Sequence, residues 1–253
     1  MNSIVISLIV FVCVFGGSLL GLFLREILPG HHLSGDAKEA VKLGSGLVAT
    51  LTALVLGLLI STSKNSFDAT NTMITQSGAK ILLLDRVLAN YGPETREIRG
   101  LLQRFLQARI VKIWPETARK LPAAASTGKL AEMEGIQVEV RNLAPKTDLQ
   151  RSFQAHAIQL SDDLAELRWL LFEQLQTSLP PMFLAVLLFW ATILFVCFGL
   201  LAPRNGTVIA VFLVCAISVA GAIFLILEME KPFKGMMKIS GAPMVKTLER
   251  LGK

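Results

Sequence analysis

The sequence predicts an all-α integral membrane protein, with four transmembrane helices in two pairs and a cytoplasmic helical bundle between spans two and three. Two observations carry this. Four stretches, Ser3 to Leu24, Leu43 to Ser63, Leu179 to Ala202 and Asn205 to Leu227, each run 21 to 24 residues without a charge, against the roughly 20 a helix needs to cross about 30 Å of hydrocarbon. The polar segment between the two pairs, over a hundred residues long, repeats apolar residues at intervals of three and four, the period of a packed helix. The boundaries that follow are 1–63 for the first hairpin, 64–178 for the cytoplasmic helical domain, 179–228 for the second hairpin and 229–253 for a basic tail.

Span one reads as a retained helix rather than a signal peptide. No Lys or Arg precedes it, its apolar run exceeds a usual h-region, and no small-x-small site follows Leu24 before Arg25. Span two is expected to continue past Ser63, because Phe67, Asn71, Ile74, Gly78, Ile81, Leu84 and Leu88 form one stripe; Tyr91-Gly92-Pro93 is its stop signal. A second helix starts at Pro93, buries Ile98, Leu101, Leu102, Phe105, Ile110 and Ile113, and ends at Trp114-Pro115.

From Glu116 to Lys146 the pattern dissolves into a loop or short helices, and Val138 and Val140 alternate too briefly for a strand. A third helix, from about Thr147 to Ser178, aligns Phe153, Leu160, Leu164, Leu167, Leu171 and Leu175 and can bundle with the other two. Pro180-Pro181 marks re-entry into the membrane. The tail places Lys231, Lys234, Lys238, Lys246, Arg250 and Lys253 among Phe233, Met236, Met237 and Ile239, a pattern expected to lie on anionic lipid.

The composition is 53% hydrophobic and the net charge is +6. Lys and Arg number 15 in the segment from Lys64 to Ser178 and 6 in the tail, against 3 in the loop from Arg25 to Lys42 and 1, Arg204, in the second loop. This asymmetry puts both termini in the cytoplasm of a bacterial inner membrane. The middle segment balances its 15 basic residues with 13 acidic ones, so it carries no nucleic-acid footprint. Cys13, Cys197 and Cys215 all fall within spans, which argues against disulfides and zinc. His31-His32 is read as loop surface rather than a metal pair, and no cofactor is expected. The chain lacks GxSxG, HExxH, a P-loop and a strand-borne GxGxxG, so no catalytic residues are assigned.

Span two carries the candidate site. Gly46, Ala49, Ala53 and Gly57 share one helical face that permits close helix approach. Beside it runs a stripe of Leu47, Thr50, Leu54, Leu58, Ser61 and Asn65, while Val48, Leu51, Val55 and Leu59 point away. The candidates for pore lining are Thr50, Leu54, Leu58 and Ser61, with the two leucines as a constriction that gates by dewetting. The alternative is ordinary packing, with Thr50 and Ser61 bonded to their own i−4 carbonyls. Lys64, Asp68 and Glu228 are candidates for a cytoplasmic pore mouth, and Arg25 and Arg204 correspond to them on the outer side. The expected partners are copies of the same chain, the lipid bilayer and a small inorganic ion.

Several runs in the chain look familiar: LPGHHLS (28–34), KLGSGLVATLTALVLGLLI (42–60), KNSFD (64–68), LDRVLANYGPE (84–94), RWLL (168–171), FGLLAPRN (198–205) and AISVAGAIFLILEM (216–229). Together they resemble the bacterial bestrophin-like proteins. The resemblance implies kinship with bestrophins, which are oligomeric ligand-gated anion channels with four spans, a long cytoplasmic helical region and a pore lined by span two. The chain has no Arg-Phe-Pro tripeptide and no acidic cluster like the calcium clasp of animal bestrophins, so no calcium site is carried over. The resulting expectation is an oligomeric channel for a small ion. The alternative is a non-conducting scaffold or sensor, which expects exposed apolar residues around Leu101 to Ile113 for a partner. A carrier usually needs inverted repeats or broken midplane helices, and neither is present.

Overall fold

The computed structural model describes residues 2–29, 35–118, 133–176 and 180–252, and among these the only regular structure is helical. Four helices are long and apolar enough to cross a bilayer: Ser3–Ile27 (α1), Gly35–Tyr91 (α2), the stretch Met182–Leu201 of Pro181–Leu201 (α7) and Gly206–Met229 (α8). Their charge-free runs leave nothing to terminate a helix before its polar ends, so the bounds follow the sequence reading closely. Between α2 and α7 lie Arg96–Ile113 (α3), Pro115–Ala118 (α4), Met133–Arg141 (α5) and Asp148–Gln176 (α6), and Ala242–Arg250 (α9) follows α8.

The chain divides into two units. The first holds Met1–Phe67 and Ser178–Met237. In it, α1 packs against both α7 and α8. The α1–α7 crossing is close because Gly21 and Gly199 meet there: a Cβ on either would run into the backbone of the other helix. Val10, Val14, Leu187, Leu194, Phe212 and Ile223 fill the core, and Leu59 of α2 joins them. Asn205 caps α8, its side-chain oxygen accepting from the Val208 amide at 2.9 Å. The Gly17 and Gly21 face of α1 thus serves packing within the protomer, as do Ala216 and Ala220 of α8, whereas Gly221 meets no neighbour within 4 Å.

The second unit holds Asp68–Thr177 and Lys238–Lys253. Its core gathers Ile81, Leu84 and Leu88 of α2, Leu102, Leu106 and Ile110 of α3, and Leu160 and Leu164 of α6. The α2 stop falls where expected, because Gly92 takes φ 141°, which only glycine adopts readily. The Thr95 hydroxyl then lies 2.5 Å from the Leu88 carbonyl, one of the acceptors left open at the helix end.

Helix α5 is one of the short helices that the sequence left open beside a loop, and it buries Met133, Ile136 and Val140; the Gln154 amide holds its end by donating to the carbonyls of Val140, Arg141 and Leu143 at 2.8–3.3 Å. Two features depart from the sequence reading. In the stripe of α2, Asn71 is exposed and its neighbour Thr70 is buried instead.

The tail is the second. Its amphipathic helix forms as α9, and that helix buries its apolar face inside the second unit: Ile239, Met244, Leu248 and Leu251 are all in the core. Two glycines admit it, Gly78 lying against Thr247 and Met244, and Gly241 against the Trp114 ring. The indole of Trp114 donates to the Ile239 carbonyl at 2.7 Å. The face of α9 is therefore not available to lie on anionic lipid, while Met236 and Met237 of the same expectation stay exposed.

Candidate functional site

The four pore-lining candidates sit on one helix, so the 3.6-residue repeat alone decides whether they share a face. From Leu43 onward the exposed positions of α2 recur at Leu47, Thr50, Leu54, Leu58, Ser61 and Asn65. Leu54 is 69% exposed and Leu58 66%, although both lie in a helix otherwise suited to hydrocarbon. On the opposite side Val48, Ala49, Val55, Leu56 and Ile60 pack on the core of the first unit. Leu51, expected to point with Val48 and Val55 toward lipid or the chain's own helices, is exposed. Gly46 and Gly57 have nothing within 4 Å of where a Cβ would stand, whereas Ala49 of the same small-residue face packs on the core.

Thr50 donates to the Gly46 carbonyl at 3.0 Å, the i−4 bond of ordinary helix threonines. Its hydroxyl proton is thereby committed while its oxygen can still accept. Thr62 makes the same bond to Leu58 at 2.9 Å. The next residue, Ser63, is buried and its hydroxyl has no hydrogen-bond partner among the described residues.

The three mouth candidates separate. Lys64 and Asp68 are exposed on α2. Glu228 is only 4% exposed. Its carboxylate accepts from the Met236 amide at 2.5 Å and is also bonded to the Ser3 hydroxyl, which in turn accepts from Lys231 at 2.9 Å. A Cβ on Gly235, at φ 97°, would run into the same carboxylate. Glu228 therefore holds the loop after α8 against the start of α1.

At the other end of these helices Arg25 donates to the Ala202 carbonyl, and Arg204 pairs with Glu26 at 2.5 Å. His31 and His32 lie outside the described residues. No cluster of three or more His, Cys, Asp or Glu suited to a metal occurs among the described residues.

Sequence reasoning missed one charged group of consequence. Asp85 of α2 is 1% exposed and receives both Nε and Nη2 of Arg99, at 2.7 and 3.0 Å, and the Gly252 amide at 3.2 Å. The hydrogen bond from Asp85 raises the Arg99 pKa above its ordinary value despite partial burial. The available signal was an acid directly after the apolar run Ile81 to Leu84, with a basic residue 14 positions later. The apolar residues that a scaffold would display between Leu101 and Ile113 are mostly interior: Leu102, Leu106 and Ile110 are buried, and Val111 is half exposed.

A family model for the bestrophin-like domain matches residues 12–244. The chain belongs to the bestrophin-like family. Its fold also matches solved structures of that kind. A point variant of a bacterial bestrophin homologue from Klebsiella pneumoniae superposes with a TM-score of 0.70 at 16% identity, covering 96% of this chain and 97% of the other. A second variant of a Klebsiella pneumoniae homologue gives 0.66 at 18% identity, with 94% and 97% covered. A structure described as a membrane protein gives 0.62 at 17% identity, with 97% of each chain covered. No curated protein sequence matches the chain. At these identities the structural likeness establishes a shared fold over nearly the whole chain, and the family match independently marks this bestrophin-like chain as a membrane protein.

Proposed function

We propose that this bestrophin-like protein is a homo-oligomeric channel that conducts a small ion along an axis lined by Thr50, Leu54, Leu58 and Ser61. Four spans cross a bacterial inner membrane, the termini and the segment 64–178 face the cytoplasm, and Lys64 and Asp68 stand at the cytoplasmic mouth. Glu228 supports that mouth indirectly, through the loop it anchors. The carrying observation is the exposed stripe of α2: one side of the helix packs on its own protomer, while the other leaves two leucines and two glycines without neighbours. In a bilayer, small residues at such a face allow helices of adjacent copies to approach closely. Symmetry then places the same residue of every copy around one axis. A ring of Leu54 and Leu58 between the hydroxyls of Thr50 and Ser61 is an apolar constriction flanked by polar groups, which gates by dewetting.

The test is bilayer recording of the purified protein together with Leu54→Ala and Leu58→Ala. Widening the ring should raise conductance or hold the path open. Unchanged conductance and gating in both variants would remove these residues from the pore. Thr50→Cys, in a background with Cys13, Cys197 and Cys215 replaced, should crosslink copies to one another. A strictly monomeric product would end the axial reading and turn attention to a scaffold role.

A further inference from the structure

The second unit contains a cleft that the channel reading does not use. Ile81, Phe105, Ile110, Trp114, Leu171 and Met244 wall it, so α2, α3, α6 and α9 all contribute. Its atom-free space, including the open mouth, is about 540 Å³, and the part that the centres of water-sized molecules can enter is about 40 Å³. Since roughly 10–15 Å³ on that second measure accommodates a single water, it takes about three such atoms, enough for a short branched chain and too little for a ring or a long acyl chain.

Two cations stand in the lining, and they differ. Arg168 is paired with Glu134 at 2.8 Å. Arg109 has no carboxylate partner among the described residues; its guanidinium lies over the Phe105 ring at 5.8 Å. Burial and the charge of Arg168 both push the Arg109 pKa below its ordinary value. A guanidinium so placed is stabilised by an incoming anion, and its planar fork matches a carboxylate with two parallel hydrogen bonds.

We propose that this cleft binds a small branched-chain carboxylate, its short branched chain entering the apolar interior and its carboxylate meeting Arg109. The site stands whether or not the protein conducts, because every residue invoked belongs to the one unit.

The experiment uses full-length protein in nanodiscs with Trp169→Phe and Trp190→Phe, which leaves Trp114 in the cleft wall as the fluorophore. Isovalerate, its neutral isostere isovaleramide, phenylacetate and dodecanoate are titrated. Isovalerate should quench or shift the emission saturably, with isovaleramide binding at least tenfold more weakly. Arg109→Gln should weaken isovalerate about 10- to 100-fold, the range for a hydrogen bond to a charged group, and Arg109→Lys should fall between.

Equal affinity for acid and amide in the parent protein would overturn the proposal even if Arg109→Gln failed to fold. Absence of saturable isovalerate binding would overturn it as well. Tighter binding of phenylacetate or dodecanoate than of isovalerate would overturn the size argument, and dodecanoate would point to a lipid-derived ligand.

Discussion

The buried ion pair of Asp85 and Arg99 gives the sharpest test of how the second unit is held. Asp85 is almost wholly buried, while the Arg99 side chain keeps about a quarter of its surface, at 23% exposed. Breaking such a pair costs roughly 3–5 kcal/mol, because the surviving charge is left without its partner. Which charge survives then matters. Asp85→Asn leaves Arg99, which can still reach water, and should cost near the lower end, about 3 kcal/mol. Arg99→Gln leaves the inaccessible carboxylate with only the Gly252 amide, and should cost near the upper end, about 5 kcal/mol. The double variant should cost well below the sum, since no charge is orphaned in it. Hydrogen exchange read by mass spectrometry on the nanodisc-embedded protein, over residues 84–88, 98–102 and 248–252, measures these differences; about 3 kcal/mol is roughly a hundredfold in opening. The exposed pair of Arg151 and Asp148 is the control and should contribute almost nothing. Single variants each costing under about 0.5 kcal/mol, additive losses, or a larger loss from Asp85→Asn would refute the reasoning.

Other substitutions test the remaining contacts. Gly21→Ala sets a methyl against the Val196 carbonyl and the Leu200 amide of α7, and should cost about 1–3 kcal/mol by overpacking, seen as a lowered thermal midpoint in a fixed detergent. Gly16→Ala, in the same helix with nothing within 4 Å, should be neutral or slightly stabilising. Gly235→Ala strains a left-handed backbone and crowds the Glu228 carboxylate, costing about 1–3 kcal/mol, with faster proteolysis in the loop 230–237 as the readout. Trp114→Phe leaves the buried Ile239 carbonyl without its donor, about 1–3 kcal/mol, and should speed cleavage of the tail near residues 238–242.

The spans were legible because a charge-free run of that length is a one-dimensional signal with few other physical causes. The continuation of α2 was legible for a related reason: its stripe keeps one helical phase from Ile74 to Leu88. What was not legible depended on partners distant in sequence. Helix α5 is nine residues long, too short to be stable on its own propensity, and it exists by packing on α6 and by the bonds from Gln154. The tail was read correctly as amphipathic, but a membrane surface and a protein groove ask for the same pattern. The groove depends on Gly78, more than 160 residues earlier, and nothing local to α9 reports it. At the candidate site the reading placed Leu54, Leu58, Thr50 and Ser61 on one face from periodicity alone, with Leu51 exposed at its border.

The small residues of the long helices show why α2 is the element to pursue. Gly17, Gly21, Gly199, Ala216 and Ala220 are each occupied within the protomer, letting α1 approach α7 and α8. The hydroxyls of Ser7, Ser18, Thr192 and Ser218 are likewise committed to carbonyls three or four residues back, so those helices hold little unspent bonding capacity. α2 differs on the first count only: Gly46 and Gly57 meet nothing within 4 Å, while Thr50, Thr52 and Thr62 are bonded to their own i−4 carbonyls. Lipid tails offer no hydrogen bonds and gain little from a flat, glycine-lined face, whereas a second helix gains close van der Waals contact there. A surface that lipid serves poorly and this chain leaves uncovered is best matched by another copy of the same helix, which is why the stripe from Thr50 to Ser61 bears on assembly before it bears on conduction.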